Sequence, residues 1–270
     1  KTRNEAIIVT LIKKHIMSKF KDKSIIITGG SGSIGFVTAK ELAQKGAQVL
    51  LVDIDEKALK EKEAEAKKEN LEISYVVADV TKAEDVKKYV ATCIERYGKI
   101  DCFFNNAGIE GKVAPMHEYP DDVFDKVVAV NIKGTYLGMK YVIPEIKDGG
   151  SIVITSSVAG LQGSPNMVPY ITTKHAVIGI MRTAALELAE RNIRVNTVNP
   201  GTVDNRMMRS IEEGVNPGHG NEVKEAYTAT IPLGRYATPE DISHMVCYLF
   251  SDDNTYATGQ TFVVDGGMKA

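Results

Sequence analysis

The chain has 270 residues, of which 43% are hydrophobic, and its formal net charge at pH 7 is −2. This length suffices to bury one large core, and α/β domains of such a size are commonly single. The nearly balanced charge gives no global reason to expect nucleic acid or an anionic membrane as a partner. We therefore expect one globular domain with no nucleic-acid or membrane partner.

The N-terminal stretch KTRNEAIIVTLIKKHI, residues 1–16, precedes Met17, which has the character of a natural start. Its apolar run AIIVTLI is too short to span a membrane and lacks a small-residue cleavage site. We interpret residues 1–16 as an atypical N-terminal extension, or as an artefact of expression or of start-site choice. The alternative is an arm that binds a membrane surface or a partner through the basic cluster KKH.

Short apolar runs alternate with helical patterns along the rest of the chain. The runs lie near residues 24–28, 48–53, 73–77, 101–105, 151–155, 193–198 and 261–264. Such alternation is typical of crossover units, which build a parallel sheet covered by helices on both faces. We predict that residues 17–270 form a single α/β domain, a doubly wound Rossmann-type parallel sheet of about seven strands. Right-handed crossovers then place the ligand crevice beyond the carboxyl ends of the strands.

The first predicted strand, SIIIT, runs into a glycine-rich turn and then into a helical pattern. The turn consists of Gly29, Gly30, Ser31, Gly32, Ser33, Ile34 and Gly35. Small residues keep such a turn tight and let backbone N–H groups approach a pyrophosphate at the positive end of the helix. The pattern therefore predicts a dinucleotide-binding turn, with an ordinary glycine turn as the alternative.

The second apolar run, VLLVDID, reaches Asp53 about 20 residues after the glycine turn. A carboxylate at this position can accept hydrogen bonds from both ribose hydroxyls of an adenosine, and it repels a 2′-phosphate. Asp53 therefore predicts NAD rather than NADP as the cofactor. The alternative for Asp53 is a helix N-cap.

Tyr170 and Lys174 are four residues apart, so in a helix they lie one turn apart on the same face. A nearby ammonium stabilises a phenolate, and we expect Lys174 to lower the pKa of Tyr170 enough for proton exchange near neutral pH. Taken alone, the pair also fits two side chains that only pack and extend toward solvent.

Together these motifs resemble the short-chain dehydrogenase/reductase family, in the subgroup whose fingerprints are TGxxxGxG and YxxxK. The resemblance covers essentially Lys23 to Met268 and includes the segment NNAG at residues 105–108. Ser33 stands where the family has the second glycine of its first fingerprint, and we expect dinucleotide binding to survive this exchange. By resemblance, the cofactor-binding residues are Gly29, Ser31, Ser33, Ile34, Gly35, Asp53, Ile54, Asp79, Val80, Asn106, Ala107, Gly108, Tyr170, Lys174, Pro200, Gly201, Val203 and Asn205.

The resemblance also implies a catalytic set, which consists of Asn131, Ser157, Tyr170 and Lys174. In the family, the serine hydrogen-bonds the substrate oxygen and the tyrosine exchanges the proton. The lysine holds the nicotinamide ribose, and the asparagine positions a water. By resemblance the serine is Ser157, which lies 13 residues before Tyr170, the family spacing. Its neighbour Ser156 should point to the other face of the strand. For Asn131, the alternative is a helix-interior amide bonded to backbone.

After the sixth predicted strand, the segment NPGTVDN resembles the family's PGxVxT segment, with Asn205 in place of the threonine. An amide can still donate and accept hydrogen bonds, so function is expected to survive. Residues 206–231 follow and contain the Gly/Pro/Asn-rich stretch GVNPGHGN, which makes them the least regular region by composition. We predict a mobile lid over the substrate, with a disordered surface insertion as the alternative.

The residues expected around the substrate carry no formal charge. They are Val158, Gln162, Asn166, Met167, Val168, Met207 and Met208, and the direct substrate contacts are expected from Ser157, Gln162, Met167, Tyr170 and Met207. Because an unpaired buried ion is strongly disfavoured, this pocket predicts an uncharged, largely apolar secondary alcohol or ketone. Arg206 or Arg209 turned inward would overturn that prediction.

Cys93, Cys102 and Cys247 are widely spaced and form no CxxC pair, which is typical of buried thiols in a reducing cytoplasm. The five histidines show no metal-ligand spacing. We expect a cytoplasmic protein with no disulfide framework and no catalytic metal.

The sequence therefore predicts an NAD(H)-dependent alcohol dehydrogenase or carbonyl reductase. By resemblance it is a homotetramer or homodimer, assembled through the long helices that carry Asn131 and Tyr170. One alternative is a 3-oxoacyl-thioester reductase, for which the resemblance implies NADP and against which Asp53 argues. Another is a non-catalytic dinucleotide-binding sensor or scaffold, which has no need for Ser157, Tyr170 and Lys174 together.

Overall fold

The computed structural model describes residues 19–270, and the predicted N-terminal extension, residues 1–16, lies outside them. The strands are β1 Ser24–Thr28, β2 Gln48–Asp53, β3 Ile73–Val77, β4 Ile100–Asn105, β5 Ile146–Thr155, β6 Arg194–Pro200 and β7 Thr261–Val264. They form one parallel sheet in the order β3-β2-β1-β4-β5-β6-β7. The predicted doubly wound fold is confirmed, and its order reverses between β1 and β4, where such sheets bind ligands.

Helices connect the strands. They are α1 Ser33–Gln44, α2 Glu56–Lys68, α3 Ala83–Tyr97, α4 Asp121–Val128, α5 Thr135–Val142, α6 Val168–Glu187, α7 Arg206–Val215, α8 Gly220–Ala229 and α9 Pro239–Phe250. Between α4 and α5, Ala129–Gly134 forms a π-helical turn, and the bounding residues keep right-handed helical dihedrals. The segment 121–142 is therefore one continuous helix with a wide turn at its middle, a feature that is frequent at functional sites.

Alternate side chains of the central strands serve two separate cores. Ile26 packs into one core, while Ile25 and Ile27 pack into the other, and Phe103 and Phe104 divide in the same way. Side chains of α3, α5 and α6 close the first core, and those of α1, α2 and α9 close the second. Strands buried on both faces require near-continuous apolar runs, which is why the sequence shows them.

Strand β5 begins at Ile146, earlier than the predicted start near residue 151. Ile146 pairs with Ile100, and the register then shifts so that Ser151 pairs with Cys102. The intervening KDGG has the composition of a turn but forms an irregularity within the strand, with Gly149 at a φ of 76°. The loop-like composition therefore hid the first part of the strand.

Residues 206–231 are more regular than their composition predicted, since most of them belong to α7 and α8. The Asn205 side-chain oxygen accepts a hydrogen bond from the Met208 N–H at 3.0 Å and so caps α7. The Gly/Pro/Asn-rich stretch contains the short connection between the two helices. A helical hairpin thus stands where an irregular lid was expected, and its motion stays a prediction.

None of the helices within residues 19–270 is long and apolar enough to cross a membrane. In the same range, no group of three or more histidine, cysteine or acidic side chains is arranged to hold a metal ion. Cys93, Cys102 and Cys247 are free thiols and all three are buried.

Candidate active site

A cleft of about 830 Å³ lies at the carboxyl ends of β1, β2, β4, β5 and β6. All of the predicted cofactor-binding residues line this cleft, and so do all of the predicted substrate contacts. Of the predicted catalytic residues, Ser157, Tyr170 and Lys174 line it, whereas Asn131 is buried outside the lining. Parallel strands therefore bring motifs that are far apart in the sequence to one edge of the sheet.

Two glycines of the first motif have no room for a side chain. Gly29 has a φ of 63°, in the left-handed region that favours glycine. A Cβ at Gly29 would lie 3.0 Å from the Cα of Ala107 and from Nδ2 of Asn106. A Cβ at Gly35 would lie 2.3 Å from the Gly29 carbonyl oxygen. The turn and the first helix therefore pack closely, as a dinucleotide-binding turn requires.

Helix α1 begins directly after this turn. Gly32 is its N-cap, and no side chain among the described residues caps the first turn. Ser33, Ile34 and Gly35 line the cleft, so the positive end of the helix dipole points toward it. Ser33 is the exposed first residue of α1, and it does not cap the helix. The exchange of glycine for serine is thus accommodated at a helix start where a side chain has space.

Asp53 is tied to the glycine turn. Its Oδ2 accepts hydrogen bonds from the Ser31 N–H at 3.1 Å and from the Ser31 hydroxyl at 2.6 Å. Its Oδ1 accepts from the Ile54 N–H at 2.8 Å. The N-cap of α2 is Asp55, whose Oδ1 accepts from the Ala58 N–H at 3.0 Å. Asp53 is therefore free of a capping role, and its carboxylate faces the part of the cleft next to the glycine turn.

Asn106 joins the ends of three strands. Its Nδ2 donates to the Thr28 carbonyl at 3.1 Å, and its Oδ1 accepts from the Thr155 hydroxyl at 2.9 Å. The Thr28 hydroxyl accepts from the backbone N–H groups of Asn106 and Ala107 at 2.9 and 3.1 Å. These bonds hold the floor of the cleft together across β1, β4 and β5.

The two serines after β5 have different partners, as alternation along the strand predicted. Ser156 is buried, and its hydroxyl donates to the Lys174 carbonyl at 2.8 Å. The Ser157 hydroxyl accepts from the Ala159 N–H at 3.1 Å and makes a long bond of 3.3 Å to the Pro200 carbonyl. Asn199 donates to the Ser157 carbonyl at 3.1 Å. Ser157 is therefore positioned by its neighbours while its hydroxyl keeps only a weak donor contact.

Tyr170 and Lys174 lie one turn apart on α6, and both are buried. Burial raises the pKa of Tyr170 to about 12, hydrogen bonding with Ser157 acts in the opposite direction, and the charge of Glu110 adds to the rise. Burial lowers the pKa of Lys174 to about 8. The Lys174 Nζ lies 5.6 Å from the centre of the Tyr170 ring and donates to the Thr155 carbonyl at 2.9 Å. The expected net fall of the Tyr170 pKa toward neutral pH is therefore wrong for this arrangement, because burial outweighs the opposing contributions.

Asn131 lies in the π-helical turn, and its side chain is fully engaged. Nδ2 donates to the Ile109 carbonyl and to the Thr173 hydroxyl, both at 3.0 Å, and Oδ1 accepts from the Ile109 N–H at 2.9 Å. A Cβ at Gly108 would lie 3.3 Å from Oδ1 of Asn131 and 3.4 Å from Nζ of Lys174. The side chain thus holds the backbone that follows β4 beside α6, which matches the backbone-bonded alternative for this residue.

The substrate end of the cleft is lined by Val158, Gln162, Met167, Met207 and Met208, as expected, but not by Asn166 or Val168. Asn166 has a φ of 64°, and its carbonyl accepts a hydrogen bond from the Ala114 N–H at 2.9 Å. Its role is therefore to shape and hold the loop backbone. Gln162 is engaged as well, because Lys269 donates to its Oε1.

One residue of this site was missed by the sequence reasoning. Glu110 follows the NNAG segment, is buried, and pairs with Arg206 at the start of α7. A single acidic residue after an apolar segment carries no periodicity or spacing signal, and its partner lies 96 positions away. The only available signal was an acid two residues after the NNAG segment. Arg209 instead pairs with Asp204 and Glu212 and does not line the cleft.

Comparison with known proteins agrees with this geometry. A family model described as enoyl-(acyl carrier protein) reductase matches residues 29–269. Levodione reductase of Leifsonia aquatica is 35% identical over 257 residues, which cover 94% of this chain and 96% of that protein. A crystal structure of levodione reductase superposes with a TM-score of 0.89 at 36% identity, covering 92% of this chain and 98% of the other.

Two further relatives extend the comparison. Dehydrogenase/reductase SDR family member 4 of Bos taurus is 36% identical over 248 residues, which cover 91% of this chain and 87% of that protein. The crystal structure of an NAD⁺-bound xylitol dehydrogenase has a TM-score of 0.86 at 35% identity, with coverage of 92% and 100%. The chain therefore belongs to the short-chain dehydrogenase/reductase family of oxidoreductases.

Proposed function

We propose that this protein is an NAD(H)-dependent oxidoreductase that interconverts an uncharged secondary alcohol and a ketone. The observation that carries the proposal is the placement of Tyr170, which is buried next to Lys174 and lines the same cleft as Ser157. The glycine turn and Asp53 line another part of the same cleft. A proton-exchanging group and a dinucleotide cradle thus share one space.

A nicotinamide dinucleotide fits the residues that are present. The uncapped first turn of α1 suits a diphosphate, and Asp53 suits a ribose with free hydroxyls. Elsewhere in the cleft, the Thr202 hydroxyl is buried without a partner among the described residues, so it offers a polar contact to a bound group. Bound there, the dinucleotide supplies the hydride donor or acceptor that no protein side chain provides.

Tyr170 is the proposed proton donor in the direction of ketone reduction. Its pKa of about 12 keeps the hydroxyl protonated at neutral pH, which a donor requires. Lys174 has a pKa of about 8 and is therefore largely charged at neutral pH. A cation one helical turn away stabilises the phenolate that forms when the proton leaves. In the reverse direction the phenolate takes up the proton of the alcohol.

Ser157 is the proposed anchor of the substrate oxygen. As a donor, its hydroxyl makes only a long contact of 3.3 Å with the Pro200 carbonyl. When the hydroxyl turns toward a substrate oxygen, only this weak hydrogen bond is lost. Asn131 acts less directly, because its side chain holds the Ile109 backbone instead of facing the cleft. We propose that Asn131 positions the segment around Gly108 beside Lys174, and that any relay water is held by this backbone.

Asp53 supports NAD over NADP. The carboxylate and the neighbouring Ser31 fill the space at the end of β2, and a 2′-phosphate would add a second negative charge there. The adjoining lining residues Ile54 and Asp55 carry no positive charge that would neutralise the phosphate. We expect NAD to bind at least about tenfold more tightly, equivalent to about 1.4 kcal/mol.

The substrate end is mainly apolar and supports a neutral substrate. Val158, Met167, Met207 and Met208 line it, and Met207 Sδ lies 3.9 Å from the Tyr170 hydroxyl. A 3-oxoacyl-thioester reductase is the second candidate, which the 35% identity to a 3-oxoacyl-[acyl-carrier-protein] reductase of Thermotoga maritima favours. The resemblance implies NADP for such a reductase, and Asp53 is unsuited to the 2′-phosphate of NADP.

Assembly and location are further proposals. We propose a cytoplasmic homotetramer or homodimer that buries the outer faces of the helices carrying Asn131 and Tyr170. Leu186 on α6 and Tyr136 on α5 are large apolar side chains that stay exposed, which supports contact with another copy. Light scattering coupled to size-exclusion chromatography measures the state, and a monomer at micromolar concentration would contradict the proposal.

The function is tested with a substrate panel. Neutral ketones, 2-ketoacids and 3-oxoacyl thioesters are each supplied with NADH or NADPH, and the loss of reduced-nicotinamide absorbance is followed. The proposal expects the highest kcat/KM for a neutral ketone with NADH. A thioester with NADPH as the best pair would establish the second candidate, and binding of NADH without turnover of any compound would support the sensor.

A further inference from the structure

An ion pair links two distant segments at the substrate end of the cleft. Arg206 donates from Nη1 to Oε1 of Glu110 at 2.8 Å and from Nη2 to Oε2 at 3.1 Å. This two-pronged geometry satisfies both carboxylate oxygens and is the strong form of guanidinium–carboxylate pairing. Glu110 follows β4, and Arg206 is the first residue of α7. The pair therefore connects the segment beside the catalytic residues to the helical hairpin.

The pair lies between two spaces. Arg206 lines the cleft, whereas Glu110 lines an adjoining cavity of about 200 Å³, and Met167 and Ile211 line both. Glu110 is 7% exposed, but the Arg206 side chain is 73% exposed. A buried carboxylate thus holds a guanidinium that is accessible from the cleft.

Glu110 carries a full charge at neutral pH. Burial opposes its ionisation, but hydrogen bonding and attraction to the Arg206 guanidinium outweigh burial, so the pKa of Glu110 lies below its ordinary value. The other cationic side chains in the cleft lining are Lys126, which is exposed on α4, and Lys174, which bonds to the Thr155 carbonyl. Arg206 is therefore the natural anion-binding group near the apolar substrate end, and Glu110 occupies both of its terminal nitrogens.

We propose that Glu110 and Arg206 form a specificity-determining pair that excludes anionic substrates. The inference rests on the proposed function, because it names the residues that select its uncharged substrate. An incoming carboxylate that takes the same two nitrogens must displace Glu110, which leaves a buried carboxylate unpaired. One that binds the remaining N–H groups of Arg206 lies beside the negative charge of Glu110 and is repelled by it. Without the Glu110 charge, Arg206 is free to bind a substrate carboxylate through the same two nitrogens.

The two halves of the pair make opposite predictions. Glu110→Gln releases Arg206 and should raise the affinity for an anionic ligand. Arg206→Gln leaves the Glu110 charge uncompensated and should lower the affinity for an anionic ligand. The double variant has neither charge and returns toward the wild-type preference. A merely structural role would instead weaken neutral and anionic ligands together in every variant.

The chain offers a matched control on the same helix. Arg209 donates to Glu212, which is also buried, and the Tyr236 hydroxyl donates to Glu212 at 2.9 Å. Neither Arg209 nor Glu212 lines the cleft. Glu212→Gln therefore breaks a comparable pair within α7 and is expected to leave the charge preference unchanged.

The experiment measures the binding of benzoate and of benzamide to the NADH-saturated protein by calorimetry. These probes share one shape and differ in charge. We expect Glu110→Gln to raise the benzoate-to-benzamide affinity ratio at least tenfold and Arg206→Gln to lower it at least threefold, both relative to wild type. An unchanged ratio in either variant, or an equal rise in Glu212→Gln, overturns the proposal.

The same set of proteins is assayed with a neutral ketone and with the 2-ketoacid of matching size. The proposal expects the kcat/KM ratio to follow the binding ratio in each variant. If wild type reduces neither compound, the proposed function fails, yet the calorimetric ratios still decide the role of the pair. If Glu110→Gln does not fold, the fall expected in Arg206→Gln remains a test on its own.

Discussion

The cofactor end and the substrate end of the cleft are held by different kinds of contact. At the cofactor end, short segments that follow β1, β2 and β4 bond to one another, as in the 3.0 Å bond from the Gly30 N–H to the Val52 carbonyl. At the substrate end, side chains from distant segments meet. Arg206 reaches Glu110 across 96 positions, and Lys269 reaches Gln162 across 107.

Because of this difference, the two ends of the cleft should tolerate different substitutions. The cofactor end depends on backbone positions that a side chain would obstruct, so few substitutions are tolerated there. The substrate end depends on individual side chains of α7 and of the loop after β5, so its specificity can change while the fold stays the same. Variants at the cofactor end should therefore lose cofactor affinity, whereas variants at the substrate end should change substrate specificity.

The largest effect on turnover is expected at Tyr170, which lies where the two ends of the cleft meet. Tyr170→Phe should lower kcat for ketone reduction at least about a hundredfold, because the ring still packs while the proton donor is lost. NADH affinity, measured by fluorescence titration, should stay within about threefold of wild type, well under the 1.4 kcal/mol of a tenfold change.

Tyr227→Phe is the matched control, since Tyr227 also lines the cleft but lies on α8. It should retain most of the turnover. Comparable activity in Tyr170→Phe and wild type would remove Tyr170 from the chemistry and favour the sensor or scaffold.

The next effect concerns the cofactor end alone. Gly35→Ala places a Cβ where only 2.3 Å separates it from the Gly29 carbonyl oxygen, so the turn must shift. NADH affinity should fall more than about tenfold, which corresponds to 1.4 kcal/mol. Gly163→Ala is the control, because nothing lies within 4 Å of a Cβ there. Equal NADH affinity in the two variants would show that the turn is not the diphosphate site.

The sequence predicted the cofactor end better than the substrate end for a physical reason. Gly29, Gly35 and Asp53 belong to local patterns, strand followed by turn followed by helix, whose spacing is set by backbone geometry. The parallel sheet follows from the same alternation, and the place of the ligand crevice follows from the handedness of crossovers. These features need no knowledge of which side chains meet, so they are readable from one sequence.

The substrate end was predicted less completely because it depends on long-range pairing. Asn166 was expected in the pocket, but its left-handed backbone serves the loop instead. Glu110 was missed, and Arg206 was recognised only as a residue that could turn inward. Helix α7 was hidden because the Gly/Pro/Asn-rich stretch GVNPGHGN dominated the composition of this segment, although Asn205 is a favourable N-cap. Such details emerge only when distant segments are packed together.

A third prediction tests whether Asp53 selects NAD over NADP. Asp53→Ala removes the repulsion of a 2′-phosphate, so the preference for NAD over NADP should narrow by about tenfold. Glu56→Ala is the control, because Glu56 pairs with Lys60 and does not line the cleft, so the ratio of the two dissociation constants should stay unchanged. A full NAD preference in Asp53→Ala would mean that Asp53 does not select the cofactor.

The smallest effect is on stability. In the folded state the pKa of Lys174 is about 8, below its ordinary value of 10.5. Between pH 8 and 10.5 the unfolded state therefore binds more protons than the folded state. The stability of the wild-type protein should rise with pH over this range. Lys174→Met removes the cost of burying an ammonium and should raise the Tm of the ligand-free protein below pH 8. The gain should shrink as pH rises from 8 toward 10.5.

Lys126→Met is the control, because Lys126 also lines the cleft but is exposed. Its Tm difference from wild type should not vary over this pH range. A pH-independent difference for Lys174→Met as well would contradict the lowered pKa of Lys174.

Direct hydride transfer is the central claim, and an isotope measurement tests it. The protein is incubated with NADH carrying deuterium at both positions of nicotinamide C4 and with an uncharged cyclic ketone, and the product alcohol is analysed by mass spectrometry. The account predicts one deuterium on the carbinol carbon with wild type and at most a trace with Tyr170→Phe. Tight NADH binding without deuterium in the alcohol from any neutral ketone would contradict it.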